Sequence, residues 1–127
     1  MCKGTTTSLR LALASKDAED ANGMIHLLPG IWEEASSFDT ARVSWRLFDS
    51  TGDLNVHAIA AYSNDGLHIA AFETVGTASA AAGIHAQPLF TPNADYKYVA
   101  FGLEAGRVGG TEGDVASGAA WFTVEYH

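Results

Sequence analysis

Hydrophobic and polar residues alternate with period two along much of this chain. In "ARVSWRLFDS", residues 41–50, Val43, Trp45 and Leu47 fall on one side of an extended backbone and polar residues on the other. Such alternation is typical of a strand with one buried face. The segments predicted as strands are 7–15, 24–28, 41–50, 54–63, 67–75, 84–90, 96–103 and 119–127.

Turn residues separate these segments, and no stretch shows the 3.6-residue period of an amphipathic helix. "SNDG" at 63–66 predicts a hairpin over 54–75, and the best helical candidate is a single turn at 31–36. We expect an all-β protein, an antiparallel β-sandwich of jelly-roll-like architecture with about seven or eight strands and almost no helix. Residues 1–127 are expected to form one such domain.

Composition narrows the classes of partner. Charged residues make up only 17% of the chain, and 15 acidic against 7 basic residues give a net charge of −8. Without a cluster of Lys or Arg, nucleic acid and anionic membranes are not expected partners. The single cysteine, Cys2, cannot form an internal disulfide, and charges stand where a signal peptide would have its cleavage site. We therefore expect synthesis in a cytoplasm, with no export by a signal peptide.

Catalytic and cofactor-binding motifs do not stand out. The sequence has no nucleophile elbow, no phosphate-binding glycine motif and no pair of carboxylates spaced for acid–base work, so we expect no enzyme activity and no cofactor. Of the five histidines, His57 and His68 lie at similar distances from the expected hairpin turn and could face each other across it. Two ligands do not make a metal site, although a third, acidic ligand would complete a cupin-type centre.

Aromatic residues give the candidate site. In the last predicted strand, Trp121 falls on the face opposite to the apolar residues. Tyr98 does the same in the strand before it. If segments 96–103 and 119–126 pair through the loop between them, these side chains share one outer sheet face. That face would consist of Tyr96, Tyr98, Ala100, Gly102, Trp121 and Thr123.

Two uses are open for this face. Exposed Trp and Tyr rings could stack on sugars, as in a carbohydrate-binding module, or they could anchor a subunit interface. We favour the interface, because Ala100 and Gly102 allow close approach of another backbone, and because the segments 56–62 and 67–72 are apolar on both faces. A chain of this length is expected to need another protein to cover both sides of that sheet.

Parts of the sequence resemble small β-sandwich proteins from the structural gene clusters of tailed bacteriophages. The resemblance rests on "IAAYSNDGLHIAAFETVG", "YKYVAFGLEAG" and "AAWFTVEYH". Tyr98, Val99, Phe101 and Gly102 match the family's strand, with Ala100 in place of its arginine, and Ser63, Asn64, Asp65 and Gly66 match its turn. The resemblance implies a non-catalytic virion component, such as a capsid decoration or a head, neck or tail protein. It also implies assembly in the host cytoplasm, with other copies or other virion proteins as partners.

Overall fold

The fold consists almost entirely of β-strands. The computed structural model describes residues 4–15, 24–27, 32–51, 54–79, 83–107 and 116–127. Its strands are β1 (Thr6–Ser15), β2 (Met24–Leu27), β3 (Glu33–Glu34), β4 (Ala41–Thr51), β5 (Leu54–Ser63), β6 (Ala71–Ser79), β7 (Gly83–Ala86), β8 (Tyr98–Arg107) and β9 (Ala116–Tyr126). One 3₁₀ turn, Ala35–Ser37, overlaps the last two residues of the helical turn predicted at 31–36. In this part of the chain no helix has the length and hydrophobicity needed to cross a membrane.

The strands form two antiparallel sheets. One sheet has the order β1-β9-β4-β7, and the other has the order β2-β8-β5-β6, with the two-residue β3 added beside β8. If the short β3 is left aside, consecutive strands lie in opposite sheets. The exception is β5, which is followed by β6, its neighbour in the same sheet. Eight strands crossing in this order between two sheets form a jelly roll. The predicted fold class is therefore confirmed.

The core lies between the sheets and follows the alternation in the sequence. Val43, Trp45 and Leu47 of β4 face inward and are almost completely buried. The inward residues of β8 and β9 are buried in the same way: Val99, Phe101, Leu103, Ala120, Phe122, Val124 and Tyr126. Phe38, Phe101 and Tyr126 pack their rings together, with Phe38 and Tyr126 edge to face at a centroid distance of 4.9 Å.

The expected pairing of segments 96–103 and 119–126 is wrong. β8 pairs with β5 and β2, whereas β9 pairs with β1 and β4, so the two strands belong to opposite sheets. The segment between them crosses from one sheet to the other, as jelly-roll connections do. β8 also runs to Arg107, beyond its predicted end, because Asn55 and Leu54 continue the ladder opposite Gly106 and Arg107, respectively. Of the loop expected between the two segments, residues 104–107 and 116–118 belong to strands, and residues 108–115 lie outside the described residues.

The predicted hairpin forms with shifted bounds. β6 starts at Ala71 instead of Leu67, because the backbone of Leu67 and His68 bonds to the Asp65 side chain and bends away from the ladder. It then continues to Ser79, into a segment expected to be loop. Gly76 adopts a φ of +74° where the register shifts between β5 and β6, which is a bulge conformation that glycine supplies. The strand predicted over 84–90 is shorter in the structure: β7 is Gly83–Ala86, lies at the edge of its sheet and ends before Pro88.

The outer face of the β5–β8 ladder is covered within the single chain. Ala58, Ala60 and Tyr62 belong to the core, so Ile59 and Ala61 point to the other side. Yet Ile59 is only 2% exposed and Ala100, which shares this face, only 4%. The expectation that another protein must cover this part of the sheet is therefore wrong. On the segment 67–72, in contrast, large apolar side chains remain exposed.

Candidate functional site

Trp121 lies on the outer face of the four-stranded sheet, where its side chain is 49% exposed. Arg46 of β4 is directly opposite it, and Ile84 of β7 is opposite Arg46, so the three form one row across the sheet. Ser44 and Thr123 form the neighbouring row. Together with Trp45 these five residues line a shallow depression of about 290 Å³. Trp121 and Thr123 therefore line the same depression.

This face is basic although the chain is acidic. Its residues on β4 alternate as Arg42, Ser44 and Arg46, and Arg10 of β1 holds the register position beside Trp121. Glu125, opposite Arg42, is the acidic residue in the same rows. Two of the seven basic residues, Arg42 and Arg46, therefore lie on one sheet face of a protein with a net charge of −8. The four-stranded face can attract an anion locally.

The other predicted site residues are divided between the five-stranded sheet and the core. Tyr98, Ala100 and Gly102 lie on β8 opposite Ser63, Ala61 and Ile59 of β5, on the covered outer face. The six predicted residues therefore do not share a face, because β8 and β9 belong to different sheets.

Tyr96 precedes β8 and packs against the core, where its ring stacks on Tyr62 with a centroid distance of 4.9 Å. It therefore does not belong to the outer face of the sheet. The packing ties the segment before β8 to the end of β5.

A second exposed surface lies at the β5–β6 hairpin, and we call it the apolar rim. It consists of Leu67, Ile69 and Phe72, which are 79%, 46% and 49% exposed. Phe72 is on the edge strand β6, opposite Ala61 of β5, whereas Leu67 and Ile69 are in the loop before that strand. Three large apolar side chains thus remain exposed within six residues of one another, and we take them as a candidate contact surface.

Hydrogen bonds hold the loop that carries the rim. The carboxylate of Asp65 accepts the backbone N–H groups of Leu67 and His68, each at 2.8 Å, and the hydroxyl of Ser63 at 2.9 Å. Its other oxygen lies 2.7 Å from Nδ1 of His68. These bonds, the one from the His68 backbone first among them, lower the pKa of Asp65 far below the usual range. The Asp65 carboxylate therefore stays ionised at acidic pH and continues to accept the hydrogen bonds that hold the loop.

The suggested pairing of His57 and His68 is wrong. His57 lies near the start of β5, opposite Glu104 of β8, with 3.7 Å between its Nε2 and a carboxylate oxygen. His68 lies beyond the other end of β5, in the loop, and contacts Asp65. No group of three or more His, Cys, Asp or Glu residues in the described ranges is arranged to hold a metal ion.

Comparisons with known proteins point to the fold. The chain superposes on the VP2 subviral particle of infectious bursal disease virus with a TM-score of 0.54 at 9% identity, covering 96% of this chain and 33% of that one. A structure of the Gx strain of that virus gives a TM-score of 0.52 at 10% identity, covering 98% and 34%. The chain thus spans about a third of the chains it matches. No model of a known protein family matches the sequence, and no curated protein sequence does.

Sequence reasoning missed two features of these surfaces. Leu67 and Ile69 were assigned to a strand, so their exposure in a loop was not expected; the signal was Asp65, whose side chain can bond the backbone two and three residues later. The row of Trp121, Arg46 and Ile84 was missed because these three residues are far apart in the sequence. Only the order β9-β4-β7 brings them together.

Proposed function

We propose that this protein is a non-catalytic structural component of a virion that associates with further copies of itself through the apolar rim. The exposure of Leu67, Ile69 and Phe72 carries the proposal. The fold supports it, because jelly rolls recur in viral capsid proteins, although lectins and cupins use them as well. The likeness to the VP2 subviral particle extends over nearly the whole of this chain.

The rim suits a second copy of this chain better than a charged partner. Each copy has a net charge of −8, so two copies repel each other and can associate only where apolar contact outweighs that repulsion. The carboxylates that flank the rim are engaged within the chain: Asp65 bonds the loop, and Glu73 accepts a hydrogen bond from the Tyr62 hydroxyl at 2.8 Å. Aromatic and aliphatic anchors without free charge are typical of the centre of an interface.

The finer form of the proposal is a capsid decoration or a head, neck or tail protein of a tailed bacteriophage, as the sequence resemblance implies. Assembly then takes place in the host cytoplasm, with other virion proteins as additional partners. Neither nucleic acid nor a membrane is needed as a partner in this role. Whether the chain is part of a virion does not depend on the rim contact. This is tested separately, by looking for the chain in purified virus particles.

The rim contact is tested by light scattering after size-exclusion chromatography, over about a hundredfold range of protein concentration, because mass action populates an oligomer at the upper end. We expect the wild type to approach a defined oligomer and Leu67→Glu to remain a monomer. Leu67 is 79% exposed, so the substitution removes apolar contact and adds charge without disturbing the core.

Leu89→Glu is the matched control. Leu89 is an exposed leucine, at 53%, outside the rim, and its substitution adds the same charge. We expect it to associate like the wild type. A wild type that stays monomeric throughout, or equal effects of the two substitutions with the fold retained by circular dichroism, would contradict association through the rim.

A further inference from the structure

The depression around Trp121 contains charged and hydroxyl groups that self-association through the apolar rim does not require. It lies on the four-stranded sheet, whereas the rim belongs to the hairpin of the five-stranded sheet. Its lining combines an indole, a guanidinium, two hydroxyls and the aliphatic side chain of Ile84. A surface built only for apolar contact does not need the charged and hydroxyl groups.

We propose that this depression binds an acidic sugar, a single pyranose ring that carries a carboxylate. Five side chains at neighbouring positions of the sheet recognise different parts of such a ring. The inference is independent of the virion role, because it rests on residues of β4, β7 and β9 alone.

Trp121 provides the stacking surface. Its ring is half exposed on the outside of a regular sheet, and the negative face of an indole attracts the polarised C–H groups on the apolar side of a pyranose. Ile84, 75% exposed and two strands away in the same row, closes the opposite side of the depression with an aliphatic surface. A ring that lies between them is held by its apolar side.

Arg46 selects for the acidic group. It stands between Trp121 and Ile84 in the row, and a guanidinium binds a carboxylate through two parallel hydrogen bonds. In a chain of net charge −8, a local excess of arginine favours an anionic ligand over a neutral one.

Ser44 and Thr123 are in the next row, opposite each other on β4 and β9. Hydroxyl groups both donate and accept hydrogen bonds, which matches the hydroxyls of a sugar. The volume of about 290 Å³ lies just below the range of about 300–1,000 Å³ common for small-molecule sites. The site therefore accommodates one ring and leaves the rest of a glycan in solvent.

The test is a titration of the full chain with D-glucuronate and, separately, with D-glucose, followed by two-dimensional NMR of the indole N–H groups. The two sugars differ in the carboxylate. We expect weak binding of glucuronate, with the largest shift at the Trp121 indole, and binding of glucose weaker by about tenfold, the loss that follows from one missing charge-assisted pair.

Three variants assign the roles. Arg46→Gln is expected to weaken glucuronate binding by about tenfold and to abolish the preference over glucose. Trp121→Ala is expected to abolish the binding of both sugars. Arg42→Gln is the matched control on the same face, two residues outside the depression, and is expected to bind like the wild type.

Several results would overturn the proposal. They are no binding of either sugar by folded protein, equal binding of glucuronate and glucose, or an equal loss in Arg42→Gln and Arg46→Gln. Binding of a poly-glutamate peptide without binding of glucuronate would assign the face to an acidic protein partner and would likewise overturn it. All variants change side chains on the outer face of the sheet, and near-UV circular dichroism verifies that each one is folded.

Discussion

At the scale of single residues, Gln87 connects the edges of the two sheets. It follows β7 of the four-stranded sheet, where its backbone N–H donates to the carbonyl of Val43 at 2.9 Å. Its side-chain oxygen accepts the N–H of Thr77, on β6 of the five-stranded sheet, at 3.1 Å. Gly76, next to Thr77, leaves the space that this side chain fills. Among the described strands, β6 and β7 lie at the edges of their sheets, and the buried amide of Gln87 bridges these two edges.

We expect Gly76→Ala to reduce the free energy of unfolding by about 2–4 kcal/mol, since a side chain at positive φ costs about 1–2 kcal/mol and the displaced Gln87 loses a buried hydrogen bond. A Cβ there would meet the side-chain oxygen of Gln87 and lie 2.7 Å from its Cδ. Gly66→Ala is the control, with the same φ of +74° but 3.7 Å to the Tyr98 ring, and should cost only about 1–2 kcal/mol. Urea unfolding measures both, and equal losses would contradict the bridging role of Gln87.

Two buried phenols make the fold sensitive to alkali. Burial raises the pKa of Tyr126 to about 12. Burial also raises the pKa of Tyr62, which donates a hydrogen bond to Glu73 and accepts one from the Asn93 N–H at 3.1 Å. In the unfolded chain both phenols lose their protons near pH 10. Above that pH the unfolded state binds fewer protons than the folded state, so stability falls as pH rises.

The expected slope approaches about 1.4 kcal/mol per pH unit for each of the two tyrosines, between pH 10 and the folded pKa. Urea unfolding at a series of pH values from 9 to about 12 measures it. Tyr62→Phe and Tyr126→Phe should each remove about half of the slope. Tyr62→Phe should also lower stability at neutral pH by about 1–2 kcal/mol, because the Asn93 N–H loses its partner. A slope unchanged in both variants would contradict the account.

At the scale of elements, the loop between β5 and β6 determines where the apolar rim is presented. Asp65 fixes the backbone at Leu67 and His68, and Ser63, fully buried, accepts the N–H of Gly66 at 3.0 Å. Because the loop is ordered before any contact forms, binding through Leu67 costs less conformational entropy than binding through a flexible segment.

Asp65→Ala is therefore expected to speed the amide hydrogen exchange of Leu67 and His68 and to weaken self-association severalfold, although it removes no rim side chain. Asp95→Ala serves as the control in the connection between β7 and β8, where Asp95 donates its backbone N–H to the Asn93 side chain. Unchanged exchange at Leu67 and His68 in Asp65→Ala would show that the carboxylate does not hold the loop.

The sequence predicts the faces of single strands well and the partners of strands poorly. Alternation correctly separates Val43, Trp45 and Leu47 from the exposed side of β4, and Phe122 from Trp121, because it depends only on backbone geometry. Pairing depends on contacts between distant segments, so the neighbouring strands β8 and β9 were expected to form a hairpin that the jelly roll does not contain. For that reason, the six residues predicted to share one face do not do so. The row of Trp121, Arg46 and Ile84 could be recognised only from the sheet order.

At the scale of the whole molecule, net charge and apolar contact oppose each other. With −8 on each copy, self-association should become stronger when salt screens the repulsion. Raising NaCl from about 0.1 M to about 1 M shortens the Debye length from about 10 Å to about 3 Å. We expect the oligomer measured by light scattering to form at lower protein concentration in high salt. Weaker association in high salt would indicate a contact between opposite charges and would contradict an apolar interface.

The central claim is that copies of this chain meet at the apolar rim. Amide hydrogen exchange of the wild type, at two protein concentrations about a hundredfold apart, tests this without any substitution, because a subunit contact protects the backbone only where it forms. The expected result is slower exchange over residues 64–72 at the higher concentration, with no change around Trp121. Exchange that does not depend on concentration, or protection that appears at Trp121 and not over 64–72, would contradict the claim.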